Sequence, residues 1–198
     1  MPPLMRQSYH NIAIVLVAIV LAVLEPRASH YLQFDRSAIL QAHEYSRVLT
    51  GNFVHLSPAH VIMNVVGLSL VVLIFLREQK PWRDTLVFLL IAIVSSLLML
   101  NFSPHILRYV GLSGIIHGYF VYYLAVGAEH TPRLCLIGWL GTLTKVTLEQ
   151  LPHYDGSSTA ALIGGEVAYD AHQFGFLCGS LIGIILLIWR FRHRNTNK

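Results

Sequence analysis

The chain is divided into apolar runs that are too long and too regularly spaced for the core of a water-soluble domain. A helix needs about 20 mostly apolar residues to cross a bilayer. Six runs approach that length, at about 9–24, 57–76, 84–100, 113–128, 132–149 and 171–189. Hydrocarbon offers no partner for backbone N–H and C=O groups, so such runs fold as helices that satisfy their own backbone. The expected fold is therefore all-α: a polytopic membrane protein of six transmembrane helices, with residues 1–198 forming one domain. Only 12% of residues are charged, against about 25% in a soluble domain. No Gly/Ser-rich or Pro-rich linker, low-complexity tract or internal repeat divides the chain.

The runs also carry an orientation. The first is short and follows Arg6, a pattern shared with signal peptides. No small-x-small cleavage site follows cleanly, so a retained helix is expected. Residues 25–47 read as a mixed polar loop with room for a short interfacial helix. With six spans, one side of the membrane receives Arg6, Arg77, Lys80, Arg83, Arg133, Arg190, Arg192, Arg194 and Lys198, and the other receives Arg27, Arg36, Arg47 and Arg108. Nine basic residues against four place both termini in the cytoplasm. The net charge of +4 is thus a topology signal, and no nucleic-acid partner is expected. Lys145 lies inside the fifth run. Cys135 and Cys178 also fall in apolar runs, without metal-ligand spacing, and read as packing residues.

This orientation sends the second, fourth and sixth helices from outside to inside. Their first residues then share a depth: His60 and Asn64, Ser113, and His172. His60, Asn64 and Gly67 lie on one helical stripe, and His172, Gly175 and Gly179 on another. Gly114 and Gly118 make a small stripe beside Ser113 and His117. Small residues let membrane helices approach closely, so packing the two glycine faces together would carry His172 towards Ser113. Ser113, between Gly111 and Gly114, admits two readings from its own neighbourhood: a helix cap, or a nucleophile that needs a base and an oxyanion site. Each His alone reads as a satisfied polar residue at a wet helix end. Two His, an Asn and a Ser converging at one depth favour function, because polar groups within a membrane are expensive and face cavities.

Three motifs on these helices, His60-x-x-x-Asn64, Gly111-Leu-Ser113-Gly114 and Ala171-His172-x-x-Gly175-x-x-x-Gly179, resemble the rhomboid family of intramembrane serine proteases. The resemblance covers the second to sixth helices. It implies a rhomboid-like bundle, a Ser113–His172 catalytic dyad, and an oxyanion site of Asn64, His60 and the backbone at Ser113. Gly111 and Gly114 would support the site, and Gly118, Gly175 and Gly179 would serve helix packing. Ile115 breaks the Gly-x-Ser-x-Gly elbow of soluble hydrolases. Many rhomboids have Tyr where this chain has His117. With the compact body, that departure makes the chain most similar to the rhombosortase branch. The branch implies substrates with a C-terminal Gly-Gly motif, an apolar helix and a basic end.

The expected reaction is cleavage of such anchors, with His172 as base for Ser113. His117, one turn after Ser113, competes as base on spacing alone. The resemblance gives it a supporting role, either stacked on His172 or touching substrate. No third acid stands out, since Asp170 precedes His172 by two residues and shares no helical face with it. The loop 152–168 reads equally as a lid or as a plain connector. Three rival functions remain. In the first, His55, His60, His117 and His172 hold a metal or haem, but no His-Glu-x-x-His pattern supports it, and no cofactor or metal is expected. The second is a non-catalytic rhomboid-like binder of membrane helices. The third is a general rhomboid protease with broader substrates. The expected partners are transmembrane substrates and the bilayer. The expected location is a bacterial inner membrane, with the site towards the periplasm.

Overall fold

The computed structural model describes residues 9–196, with side chains described through His193. Arg6 and Lys198, and the side chain of Arg194, all used in the charge count, lie outside the described residues. Long helices stand at all six expected places: α1 (Tyr9–Val23), α5 (Pro58–Ile74), α6 (Pro81–Phe102), α7 (Ser113–Gly127), α8 (Pro132–Leu148) and α10 (Tyr169–Thr196). Proline at the first helical position starts α5, α6 and α8, where its missing N–H costs nothing. Ser57 caps α5 by accepting the His60 N–H. Among the described residues two helical segments, Pro81–Phe102 and Tyr169–His193, are long and apolar enough to cross a membrane, while α1 and α5 are apolar but shorter. The number of spans therefore rests on the sequence pattern.

Helix α7 is the axis of the bundle. Ile115, Tyr119, Tyr122 and Tyr123 on it are almost wholly buried. They pack with Leu68 of α5, with Phe88 and Ile91 of α6 and with Phe176 of α10. Its closest neighbour is α10. A Cβ added at Gly114 would lie 2.7 Å from the Ala171 carbonyl oxygen, and one added at Gly175 or Gly179 would collide with the carbonyls of Gly114 or Gly118. Any side chain on this seam would force the two helices apart. The outer faces of the long helices expose Leu70, Leu73, Leu86, Leu136, Leu181 and Ile185, an apolar exterior that suits lipid.

The segment between α1 and α5 is more structured than a polar loop. It holds α2 (Arg27–Leu32), β1 (Phe34–Asp35), α3 (Arg36–Gln41) and α4 (Arg47–Thr50). Helices of four to six residues do not persist on their own, and long-range bonds fix these. Strand β1 pairs antiparallel with β2 (Arg108–Tyr109). The Arg36 guanidinium donates to the carbonyls of Leu100 (2.7 Å), Met99 (3.0 Å), Ser103 (2.7 Å) and Ile106 (3.1 Å). It thereby satisfies the Leu100 carbonyl, which the C-terminal end of α6 would otherwise leave orphaned, and adds a second donor to Met99 and Ser103. Arg47 donates to the His30 and Gln33 carbonyls and pairs with Glu44. Through β2 this framework runs directly into Gly111 and Ser113. A short helix, α9 (Ser157–Ile163), lies in the segment between α8 and α10.

Candidate functional site

Leu112, not Ser113, occupies the N-cap of α7, and no side chain caps that helix. The Ser113 hydroxyl is thus free for another partner: its Oγ lies 3.0 Å from His172 Nε2. The close glycine seam between α7 and α10 brings the two together, and His172 itself is buried. The uncapped first N–H groups of α7 remain donors with no helical partner, beside Ser113 and at the positive end of the helix.

His60 and Asn64 approach the same point from α5. Gly111 has φ +115°, and a Cβ there would sit 2.7 Å from His60 Nε2 and 3.4 Å from Asn64 Nδ2. Glycine is required twice at this position, by backbone conformation and by the two polar side chains that crowd it. The Leu56 N–H points at His60 Nδ1 (3.4 Å), which makes Nδ1 the acceptor and leaves the proton on Nε2, facing Gly111. Asn64 Nδ2 is buried with no hydrogen-bond partner. Two donors therefore converge on the backbone just ahead of Ser113, and one of them is unsatisfied. An unmatched buried donor is uncommon in a native protein, and here it faces the place where a polarised carbonyl oxygen would lie. His55 stands edge-on to His60, with ring centroids 4.9 Å apart. Burial, followed by the neighbouring His60, holds its pKa down at about 3, so His55 stays neutral.

His117 is stacked on His172, with ring centroids 4.3 Å apart and planes 20° from parallel. Its Nδ1 is 2.7 Å from the Ser113 carbonyl oxygen and donates to it, since a carbonyl can only accept. That bond directs the ring away from the Ser113 hydroxyl. Four of the expected site residues, His60, Asn64, Ser113 and His172, thus meet at one end of the bundle, with His117 against the imidazole.

One residue of the site was not foreseen. Glu149, the residue that ends α8, places a carboxylate oxygen 3.0 Å from His172 Nδ1, and its other oxygen lies 2.5 Å from Lys145 Nζ. Asp170, dismissed on spacing, faces elsewhere: it bonds the Ser103 hydroxyl and lies 3.5 Å from His105 Nε2. The sequence did hold a signal for Glu149. Lys145 and Glu149 are a charged i, i+4 pair inside an apolar run, where charge is expensive and usually functional. His117, Glu149 and His172 together are also the one cluster among the described residues with metal-ligand spacing. It is not the set of His55, His60, His117 and His172. The stacking of the two rings, together with bonds already made at His117 Nδ1 and at both edges of His172, leaves them poorly aimed at a shared ion.

Two cavities meet at Ser113. One, of about 290 Å³, is lined by Gln33, His60, Arg108 and residues of the 163–168 segment. The other, of about 310 Å³, opens between α5 and α8 and is lined by Met63, Asn64, His117, Lys145 and Tyr154. A nucleophile, a base, converging donors and room for a chain on either side make a site suited to acyl transfer. The family model for the Rhomboid domain matches residues 42–189. No curated protein matches the chain.

Proposed function

We propose, from the premise that the chain belongs to the rhomboid family of intramembrane serine proteases, that it cleaves C-terminal membrane anchors of exported proteins at a Gly-Gly motif through Ser113 and His172. The observation that carries the reading is the 3.0 Å approach of Ser113 Oγ to His172 Nε2 beside an unpartnered Asn64 amide. In the first step Ser113 Oγ attacks the scissile carbonyl as its proton passes to His172 Nε2. The carbonyl oxygen gains the negative charge and is met by Asn64 Nδ2, His60 Nε2–H and the first N–H groups of α7. The tetrahedral adduct collapses, the C–N bond breaks, and His172 returns its proton to the leaving amine. Water then repeats the sequence on the acyl-enzyme and frees Ser113.

The Gly-Gly preference follows from resemblance to rhombosortases and from helix energetics. A carbonyl inside a membrane helix is hydrogen-bonded and shielded, so the segment must unwind before attack. Each Gly lowers helix stability by about 0.8–1.0 kcal/mol relative to Ala. A glycine pair at the outer end of an anchor therefore eases unwinding and removes side chains that would block the serine. His117 in place of the more common Tyr is the feature of this chain that points to the branch.

The test is co-expression with a secreted domain ending in Gly-Gly, an apolar helix and basic residues, with the new C-terminus mapped by mass spectrometry. Ser113→Ala and His172→Ala are each expected to abolish product while leaving the protein in the membrane. Asn64→Ala is expected to lose about 10²–10³ in rate. Processing by Ser113→Ala at the wild-type rate would rule out the serine mechanism and leave a non-catalytic helix binder. A substrate with Leu-Leu in place of Gly-Gly is expected to stay uncut; equal cleavage at the same bond would make the chain a general rhomboid protease.

A further inference from the structure

We propose that Glu149 is a positioning residue for His172, extending the expected dyad to a Ser113–His172–Glu149 triad with Lys145 as the clamp on its acid. The proposal rests on the protease reading above and adds to it a third group on a different helix. Glu149 is buried, with only 3% of its side chain exposed, and both of its oxygens are engaged: Oε2 with His172 Nδ1 at 3.0 Å and Oε1 with Lys145 Nζ at 2.5 Å. A buried carboxylate must be paired to be tolerated. Lys145 alone, one turn earlier on the same helix, would satisfy the ordinary i, i+4 pairing. The second contact crosses from the end of α8 to α10 and lands on the edge of the ring that is not turned to the serine.

The consequence is chemical. An ionised carboxylate only accepts hydrogen bonds, so Glu149 fixes the His172 proton on Nδ1. That leaves a lone pair on Nε2, where the Ser113 hydroxyl proton must go. His117 stacks on one face of the ring and Glu149 holds its edge, so plane and tautomer are set together. When His172 takes the serine proton it becomes a cation. Glu149 stays ionised and stabilises that cation; the proton does not pass on to it. The C-terminal end of α8 adds negative potential at the same place. Lys145 keeps the carboxylate aimed and offsets the charge of the resting site, when His172 is neutral.

The charged and titratable groups around the imidazole are His117 from α7, His60 from α5, Lys145 and Glu149 from α8, Tyr154 from the segment after it, and Tyr169 from α10 itself. Of these, Glu149 is the only acid in contact with His172. Its removal should therefore move the imidazole in one direction, making the cation harder to form.

The experiment uses the full chain in detergent with a Gly-Gly anchor substrate and a fluorophosphonate probe for Ser113. Glu149→Gln is expected to lower kcat by about 10²–10⁴-fold with little change in KM. The acid limb of the kcat/KM profile is expected to move to lower pH. Glu149→Asp is expected to recover part of the rate, and Lys145→Met to lose less than Glu149→Gln. Nitrogen NMR of ring-labelled histidine is expected to show His172 protonated at Nδ1 in the wild type and a tautomer mixture in Glu149→Gln. A folded Glu149→Gln with wild-type kcat, acid limb and tautomer would overturn the proposal. So would a loss of rate matched by a loss of thermal stability, with the acid limb and tautomer unmoved. If wild-type Ser113 neither cuts nor takes the probe, the protease reading falls, and the tautomer measurement still decides whether Glu149 sets the proton on His172.

Discussion

The two segments that flank Ser113 at its end of the bundle are built in opposite ways. Residues 24–57 are short helices and a strand tied into the rest of the protein by Arg36 and the β1–β2 pair, while Arg47 braces the segment internally. Residues 150–168 carry few such ties. Asp155 bonds only its near neighbour Ser157, Tyr154 leans edge-on against Tyr169, and Leu56 lies close to Gly165. Yet this second segment covers both cavities, through Ile163 and Val167. The difference is one of attachment: the first segment, a strut, is tied by long-range bonds into the stretch that leads to Gly111 and Ser113, and the second lines the cavities beside them with mostly local bonds of its own. Low-stability segments are where covers are drawn from.

The largest expected effect on this contrast comes from the strut. Arg36→Ala removes four hydrogen bonds and strips the Leu100 and Ile106 carbonyls of this donor, while Met99 and Ser103 keep the N–H groups of Ser103 and Ile106. A loss of about 3 kcal/mol or more is expected, read as a lower melting temperature in detergent, together with a loss of proteolysis as Ser113 loses its support. A protein that tolerates Arg36→Ala would show that the strut is decoration.

The cover should respond through rate and access. A tag inserted near Gly156 should leave the protein folded and, if the charge asymmetry is read correctly, be reachable only from outside the cell. Tyr154→Ala deletes an aromatic contact of about 1 kcal/mol, so kcat/KM is expected to rise by up to about fivefold with little change in melting temperature. A large stability loss from Tyr154→Ala, or a tag reached only from the cytoplasm, would break the comparison.

The smallest effect separates two aspartates. Asp35 accepts from Ala38 N–H and Ser37 N–H at the start of α3, and the Ala38 bond is the chief cause that holds its carboxyl below the usual range. Its stabilisation is present above the ordinary carboxylate pKa and is lost as pH falls through the lowered one. Asp35→Ala is expected to cost about 1 kcal/mol at neutral pH, with the gap to wild type closing in acid. Asp155→Ala, at an exposed carboxyl held below the usual range by Ser157 alone, is expected to change melting less than Asp35→Ala at every pH. Equal responses would erase the distinction between the two segments.

What was legible in the sequence was whatever depends on helical periodicity. The six runs became six helices, and the glycine stripes at 114/118 and 175/179 became a backbone-to-backbone seam. That seam carries His172 to Ser113 across 59 positions. What escaped depends on groups distant in sequence meeting at helix ends. The short helices of residues 24–57 are held by bonds such as Arg36 to Leu100, which no local pattern announces. Glu149 meets His172 from the C-cap of another helix, just past its last residue Leu148. Its charge beside Lys145 was visible, but the contact it makes across the bundle was not.

Helix α7 has 15 residues and so rises only about 22 Å, against about 30 Å for a bilayer's hydrocarbon core. A helix of that rise, set with its Gly127 end at one face of a bilayer, would hold Ser113 roughly 8 Å beneath the other. Hydrolysis consumes one water per bond at a depth where lipid supplies none. The cavity bordered by Gln33 and Arg108 has room for several water molecules and lies beside Ser113. The second cavity beside Ser113 opens between α5 and α8. In the proposed reaction a helix this short would leave substrate a sideways approach from the bilayer and water a path from above.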